Sequence, residues 1–94
     1  MHKHWRQLTK IKNEQKLATK VCIHNQIIPP LPLLVIITRI GPRRLDDDNL
    51  ASSCKYVRDQ IAAAVGVDDG SDQYTWRCEQ KIGDYGVDVE IVTR

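Results

Sequence analysis

The sequence predicts an α+β fold in one small domain, with elements in the order α-β-α-β-β and a C-terminal β-hairpin. Three observations carry that reading. A helical apolar period runs over residues 7–23, and a sharper one runs over residues 50–65. Short runs of strand character occupy residues 33–39, 73–80 and 87–93. At 94 residues the chain makes one domain, 1–94, with a thin core. A chain of this size buries only roughly 60–65% of its unfolded surface. Pairing with a second copy would relieve that shortage, so a homodimer is expected.

In residues 7–23, Leu8, Ile11, Ala18, Val21 and Cys22 recur at helical spacing, while Lys10, Lys12, Lys16 and Lys20 take the other positions. We read residues 1–28 as a basic helical arm and 29–94 as strand, acidic-motif helix and hairpin. Pro29, Pro30 and Pro32 cannot continue a helix and make a stiff linker. Residues 33–39 are continuously apolar and β-branched, which predicts a strand covered on both faces. A basic turn, Gly41-Pro42-Arg43-Arg44, follows. Leu50, Cys54, Val57, Ile61 and Val65 then fall at i, i+4, i+7, i+11 and i+15, one buried helical stripe that Gly66 stops. Residues 67–72 read as a loop. Tyr74, Trp76 and Cys78 face one way on the next strand, and Val87, Val89 and Ile91 do so on the last. Gly83-Asp84-Tyr85-Gly86 is the predicted hairpin turn between them.

The net charge of +2 is unevenly spread. Residues 1–20 hold six Lys and Arg against Glu14 alone, a net of +5, and the rest of the chain holds eight against eleven acids, a net of −3. A basic arm on an acidic body suits a protein that grips a polyanion and holds a metal; a solvated Lys-rich helix is the plainer alternative. Cys22, Cys54 and Cys78 are odd in number, widely spaced and without a C-x-x-C pair. They match no disulfide framework and no zinc site, which points to a reducing cytoplasm, with Cys54 acting as a small hydrophobe. No signal peptide is visible, and the apolar run of residues 33–37 is too short to span a bilayer. His2 and His4 are read as terminal residues rather than ligands, and Trp5 and Trp76 as packing residues rather than base-stacking ones.

The chemistry concentrates in Asp46-Asp47-Asp48-Asn49. Asp and Asn are favoured at a helix start, but one residue satisfies the cap. Neighbouring carboxylates repel unless a cation lies between them, and a hard ion such as Mg²⁺ suits oxygen donors. Ser52, Lys55 and Asp59 continue a polar stripe from Asp48, at i+4, i+7 and i+11. A second acidic pair, Asp68-Asp69, follows the helix. A helix of about 17 residues is roughly 25 Å long. The two acidic clusters therefore meet only if the helix is shorter or bent, or if the site is shared between two subunits.

Taken together, Arg43-Arg44-Leu45-Asp46-Asp47-Asp48-Asn49, then Lys55 and Asp59, then Val67-Asp68-Asp69, resemble the signature of the RusA-type Holliday junction resolvases. His4-Trp5-Arg6 with its basic continuation and the strand at 33–39 extend the likeness over nearly the whole chain. The resemblance implies a dimeric, Mg²⁺-dependent endodeoxyribonuclease, with Mn²⁺ as a substitute, that cuts four-way junctions in bacteria and their phages. It implies that Asp46, Asp48 and Asp69 bind one or two ions and that Lys55, anchored by Asp59, is catalytic. Arg43, Arg44, Lys10, Lys12, Lys16 and Lys20 would bind DNA phosphates. Two features depart from the family pattern: Lys55 comes six residues after Asn49 instead of about three, and the family's N-terminal strand has no counterpart in this reading. A non-catalytic protein that binds branched DNA is the alternative function, and a small structural dimer with Asp-capped helices is a third.

Overall fold

The computed structural model describes residues 4–10 and 30–94. Their elements are β1 (His4–Lys10), β2 (Leu33–Gly41), α1 (Asp47–Val65), β3 (Tyr74–Ile82) and β4 (Gly86–Thr93). The four strands form one mixed sheet in the order β1-β4-β2-β3, so the class is α+β as expected.

β2 is central because its sequence needs two neighbours. Leu33, Val35 and Ile37 are buried on the face that α1 covers, and the intervening residues are half-buried. The expectation of full cover on both faces is met on the helix side only. β2 pairs in parallel with β3, from Leu33 opposite Tyr74 to Gly41 opposite Ile82. A parallel neighbour requires a crossover, and α1 supplies it by carrying the chain back to the start of the sheet.

The predicted hairpin does not form. β3 and β4 lie on opposite sides of β2, and β4 pairs antiparallel with β2 and β1. Residues 83–85 step across the end of β2 instead, held by the Gly83 amide on the Gly41 carbonyl at 3.0 Å. A Cβ on Gly83 would lie 3.0 Å from Ile40 Cγ2, so a larger residue would crowd that crossing. The reason is burial. β4 brings Val87, Val89 and Ile91 into the core beside β2, whereas β3 is half-polar and tolerates the edge.

The N-terminal expectation is also corrected. Residues 7–10 belong to β1 rather than to a helix, and the same strand takes in Trp5 and Arg6. The chain pairs His4 with Val92 through to Lys10 with Gly86. Arg6 secures this edge through two bonds to Asp88, Nε to Oδ1 at 3.2 Å and Nη2 to Oδ2 at 2.7 Å, and that partnership raises the Arg6 pKa. Pairing with β4 satisfies backbone groups over seven residues, which outweighs a helical pattern of side chains. The remainder of the predicted helix, and with it Lys12, Lys16 and Lys20, lies outside the described residues.

α1 follows the sequence closely. Cys54, Val57 and Ile61 are buried, with Leu50 and Val65 packed at the margins. Gly66 ends the helix at φ 85°, a left-handed conformation in which its amide bonds the Ala62 carbonyl. Cys54 is not the free hydrophobe expected: a disulfide joins it to Cys78 on β3. Widely spaced cysteines gave no sign of this, because the pairing depends on α1 crossing the strand. No helix among the described residues is long and apolar enough to cross a membrane.

Candidate functional site

The turn between β2 and α1 leaves the carboxyl end of the parallel β2-β3 pair. In open sheets with crossover helices, that edge is where ligands commonly bind, since loops and helix N-termini converge there. Here it presents Pro42, Arg43, Arg44, Asp46, Asp47, Asp48 and Asn49, all exposed. Leu45 between them is half-buried.

The exposed side chains stand on a fixed backbone. Arg39, only 1% exposed, extends under the turn and donates from Nη1 to the Arg43 carbonyl. Gly41 makes room for that guanidinium, since a Cβ there would lie 2.5 Å from its central carbon. At Leu45, the amide donates to Gln80 Oε1 at 2.8 Å and the carbonyl accepts from Gln80 Nε2 at 2.9 Å. Asp46 is the helix cap: its Oδ1 accepts the Asn49 amide at 2.9 Å and its carbonyl accepts the Leu50 amide at 2.9 Å. One aspartate thus meets the capping requirement. Asp47 and Asp48 are further charge in the first turn, favoured by the helix dipole.

Lys55 lies seven residues beyond Asp48, about 10 Å along the axis. Its ammonium points to Asp59, with Nζ 3.3 Å from Oδ1. Both partners are more than half exposed, so the pair adds little stability, although it gives Lys55 a direction.

Asp69 is placed elsewhere. It precedes β3, at the opposite end of the crossover from Asp46, and its Oδ2 is 3.8 Å from Arg58 Nη2. Arg58 is ten residues past Asp48, about 15 Å of helix, and its guanidinium also sits 5.1 Å from the Trp76 ring centre. The Asp69 carbonyl accepts from Trp76 Nε1 at 2.9 Å, and Tyr74 Oη donates to the Val67 carbonyl at 2.8 Å. Burial and the nearby Asp68 and Asp69 raise the Tyr74 phenol above its usual 10.0. Among the described residues, no group of three or more His, Cys, Asp or Glu is close enough to hold a metal ion. Asp46, Asp47 and Asp48 are thus neighbours in sequence at the start of α1 and do not form such a group, and Asp69 lies beyond the other end of the helix, paired with Arg58.

As carboxylates, Asp46 and Asp48 are the donor type that Mg²⁺ takes, an ion that commonly uses one or two carboxylates and fills its other positions with water and phosphate oxygen. Lys10 ends β1 at the same edge of the sheet, opposite Gly86. Arg39 and Gln80 were missed as site residues in the sequence. Arg39 could have been found from its place in the alternating burial of β2, whereas Gln80 carries no local signal. No protein-family model matches this chain, and neither the curated proteins nor the solved structures contain a match.

Proposed function

We propose that this chain is a RusA-like, Mg²⁺-dependent endodeoxyribonuclease that cuts four-way or related branched DNA by phosphodiester hydrolysis and works as a homodimer; the Cys54–Cys78 disulfide removes the ground for assigning it to a reducing cytoplasm. The observation that carries the proposal is the 43–48 turn, where two exposed arginines adjoin three exposed aspartates on a backbone pinned from below. A phosphodiester needs both parts: cations to hold the phosphate, and carboxylates to hold the ion.

In this reading Arg43, Arg44 and the lysines at 10, 12, 16 and 20 bind backbone phosphates, giving salt-dependent affinity without sequence reading. Asp46 and Asp48 hold the metal. Bound there, the ion supplies an activated water and neutralises phosphate charge. Lys55 would have to turn from its exposed pair with Asp59 toward the start of α1 to add a cation for the charge that develops on the phosphate. Asp69 joins this site only from a second copy. α1 is 19 residues, about 28 Å. Two such helices packed antiparallel about a two-fold axis place the 68–69 loop of each beside the acidic turn of the other. Tyr56, 57% exposed at mid-helix, is the side chain available at the centre of that contact.

A second reading, junction binding without cleavage, is favoured by the pairing of Asp69 with Arg58. One experiment separates them. A labelled four-way junction is incubated with the protein in Ca²⁺, then in Mg²⁺. Retention in Ca²⁺ with cutting in Mg²⁺ supports the nuclease, retention with no cutting in either supports the binding protein, and no retention at low salt defeats both.

A further inference from the structure

β3 ends the sheet on its side: it pairs with β2, and no described strand lies beyond it. The ladder fixes which of its backbone groups face out. Leu33, the register partner of Tyr74, donates its amide to the Gln73 carbonyl at 2.8 Å. In a parallel ladder this sets residues 73, 75, 77, 79 and 81 with their amides and carbonyls toward β2. The Tyr74 amide is taken by the Ser71 carbonyl at 3.3 Å, while those of Trp76, Cys78, Gln80 and Ile82 turn outward along an open edge.

An open edge is a template for another strand, and charged side chains commonly guard it. Here the charges also select what fits. Thr75, Arg77, Glu79 and Lys81 are exposed on the face away from α1, with Arg77 Nη2 3.0 Å from Glu79 Oε1. A second copy of β3, laid antiparallel about a two-fold axis at Cys78, overlaps all nine residues. Trp76 then stands opposite Gln80 and Cys78 opposite Cys78, the pairs that exchange backbone bonds. Between them Arg77 of one copy meets Glu79 of the other, twice by symmetry, in the non-bonded pairs whose side chains approach closest. Ile82, 54% exposed in one copy, lies against Tyr74 of the other. Moving the axis by one residue sets Arg77 opposite Arg77, or Glu79 opposite Glu79 with Arg77 opposite Lys81, and like charges directly opposite are destabilising.

The helices supply a second measure. α1 lies over β2 and β3, so two copies joined through β3 carry their helices antiparallel on one face, two strand spacings apart. At ~4.8 Å per strand that is about 10 Å, the distance of packed helices.

We propose that the outer edge of β3 is the interface of a homodimer, in which two four-stranded sheets continue as one across the axis at Cys78. The inference rests on the homodimer reading above and gives it an interface; it needs no metal. Trp76, which holds the Asp69 carbonyl, faces Gln80, which holds Leu45, so the 68–69 loop of each copy comes beside the turn of the other.

Sedimentation equilibrium of the oxidised full chain tests this with wild type, Arg77→Glu, Glu79→Arg and the variant carrying both changes. Both positions are exposed, and the ion pair disturbed within one chain adds little to folding. Each single variant sets like charges opposite twice and should weaken the dimer about tenfold, whereas the double variant exchanges the signs and should recover to within about threefold of wild type. Hydrogen exchange at the amides of Trp76, Cys78 and Gln80 should slow as protein concentration passes through the dimer range. A wild-type dimer that the single variants leave equally tight, or one in which all three amides still exchange fast, places the contact elsewhere and overturns the inference alone. Weakening in the single variants without recovery in the double overturns the register and the inference with it. A wild-type chain that stays monomeric throughout overturns the homodimer reading and the inference together.

Discussion

Asp46 has two demands on one carboxylate. Its Oδ1 caps α1 through the Asn49 amide, and the proposed site asks the same group to hold a cation. The demands separate by substitution. Asp46→Ala removes both, and loss of a cap costs about 0.5–2 kcal/mol, while Asp46→Ser restores the cap and supplies no carboxylate. Thermal melts should show Asp46→Ala several degrees below wild type and Asp46→Ser close to it, with cleavage lost in both. Cleavage surviving in Asp46→Ser would remove Asp46 from the ligand set. At this scale the sequence was legible where charge and spacing speak directly. The acidic run, its helix and the Lys55–Asp59 pair are all where the spacing puts them. What it hid were the side chains that act from a distance, Arg39 under Gly41 and Gln80 against Leu45. Their roles depend on a strand register that no local pattern encodes.

β3 holds the crossover rung by rung. From its first residue to its seventh, the side chains on one face engage the chain that precedes it: Tyr74 the Val67 carbonyl, Trp76 the Asp69 carbonyl, Cys78 the Cys54 sulfur and Gln80 both backbone groups of Leu45. α1 buries only a few side chains of its own, so this strand supplies much of what keeps it in place. The disulfide closes a loop with a sequence separation of 24, which the chain-entropy model values at about 3–3.5 kcal/mol. Cys78→Ser changes an exposed position and leaves no core cavity, so its effect isolates the cross-link. With about 4–8 °C per kcal/mol in a domain of this size, calorimetry should find the variant at least ~10 °C below the oxidised wild type, and equal melting would mean the bond contributes nothing. The elements themselves were readable one by one, since β2, α1, β3 and β4 fall within a residue or two of their expected bounds. Their partnerships were not. A turn rich in glycine between two alternating strands reads as a hairpin, yet burial of Val87, Val89 and Ile91 beside β2 sends β4 to the far side. β1 was misjudged for a related reason: residues 7–10 share the apolar period of 7–23 in sequence, but their pairing partner β4 lies some 80 residues away.

For the whole molecule, the decisive feature is the distance between its two acidic clusters. One chain puts Asp46 and Asp48 at one end of α1 and Asp69 at the other, next to Arg58. If the working unit is a dimer with sites shared between copies, two defective variants should repair each other. Asp48→Asn and Asp69→Asn, each inactive alone, would form a mixed dimer with one intact site, seen as nicking of a labelled junction after the proteins are co-refolded. Mixtures as inactive as their components would place Asp69 outside the site. Behind both dimer and monomer stands the same claim, that the carboxylates of the pinned turn hold the ion that cuts. Asp48→Asn tests it most directly, because it removes one negative charge and leaves shape and helix cap untouched. The account predicts that this variant binds a four-way junction as tightly as wild type or tighter, and that its Mg²⁺-dependent cleavage falls at least a hundredfold, to the order expected when a metal ligand is lost. Cleavage at the wild-type rate would contradict it.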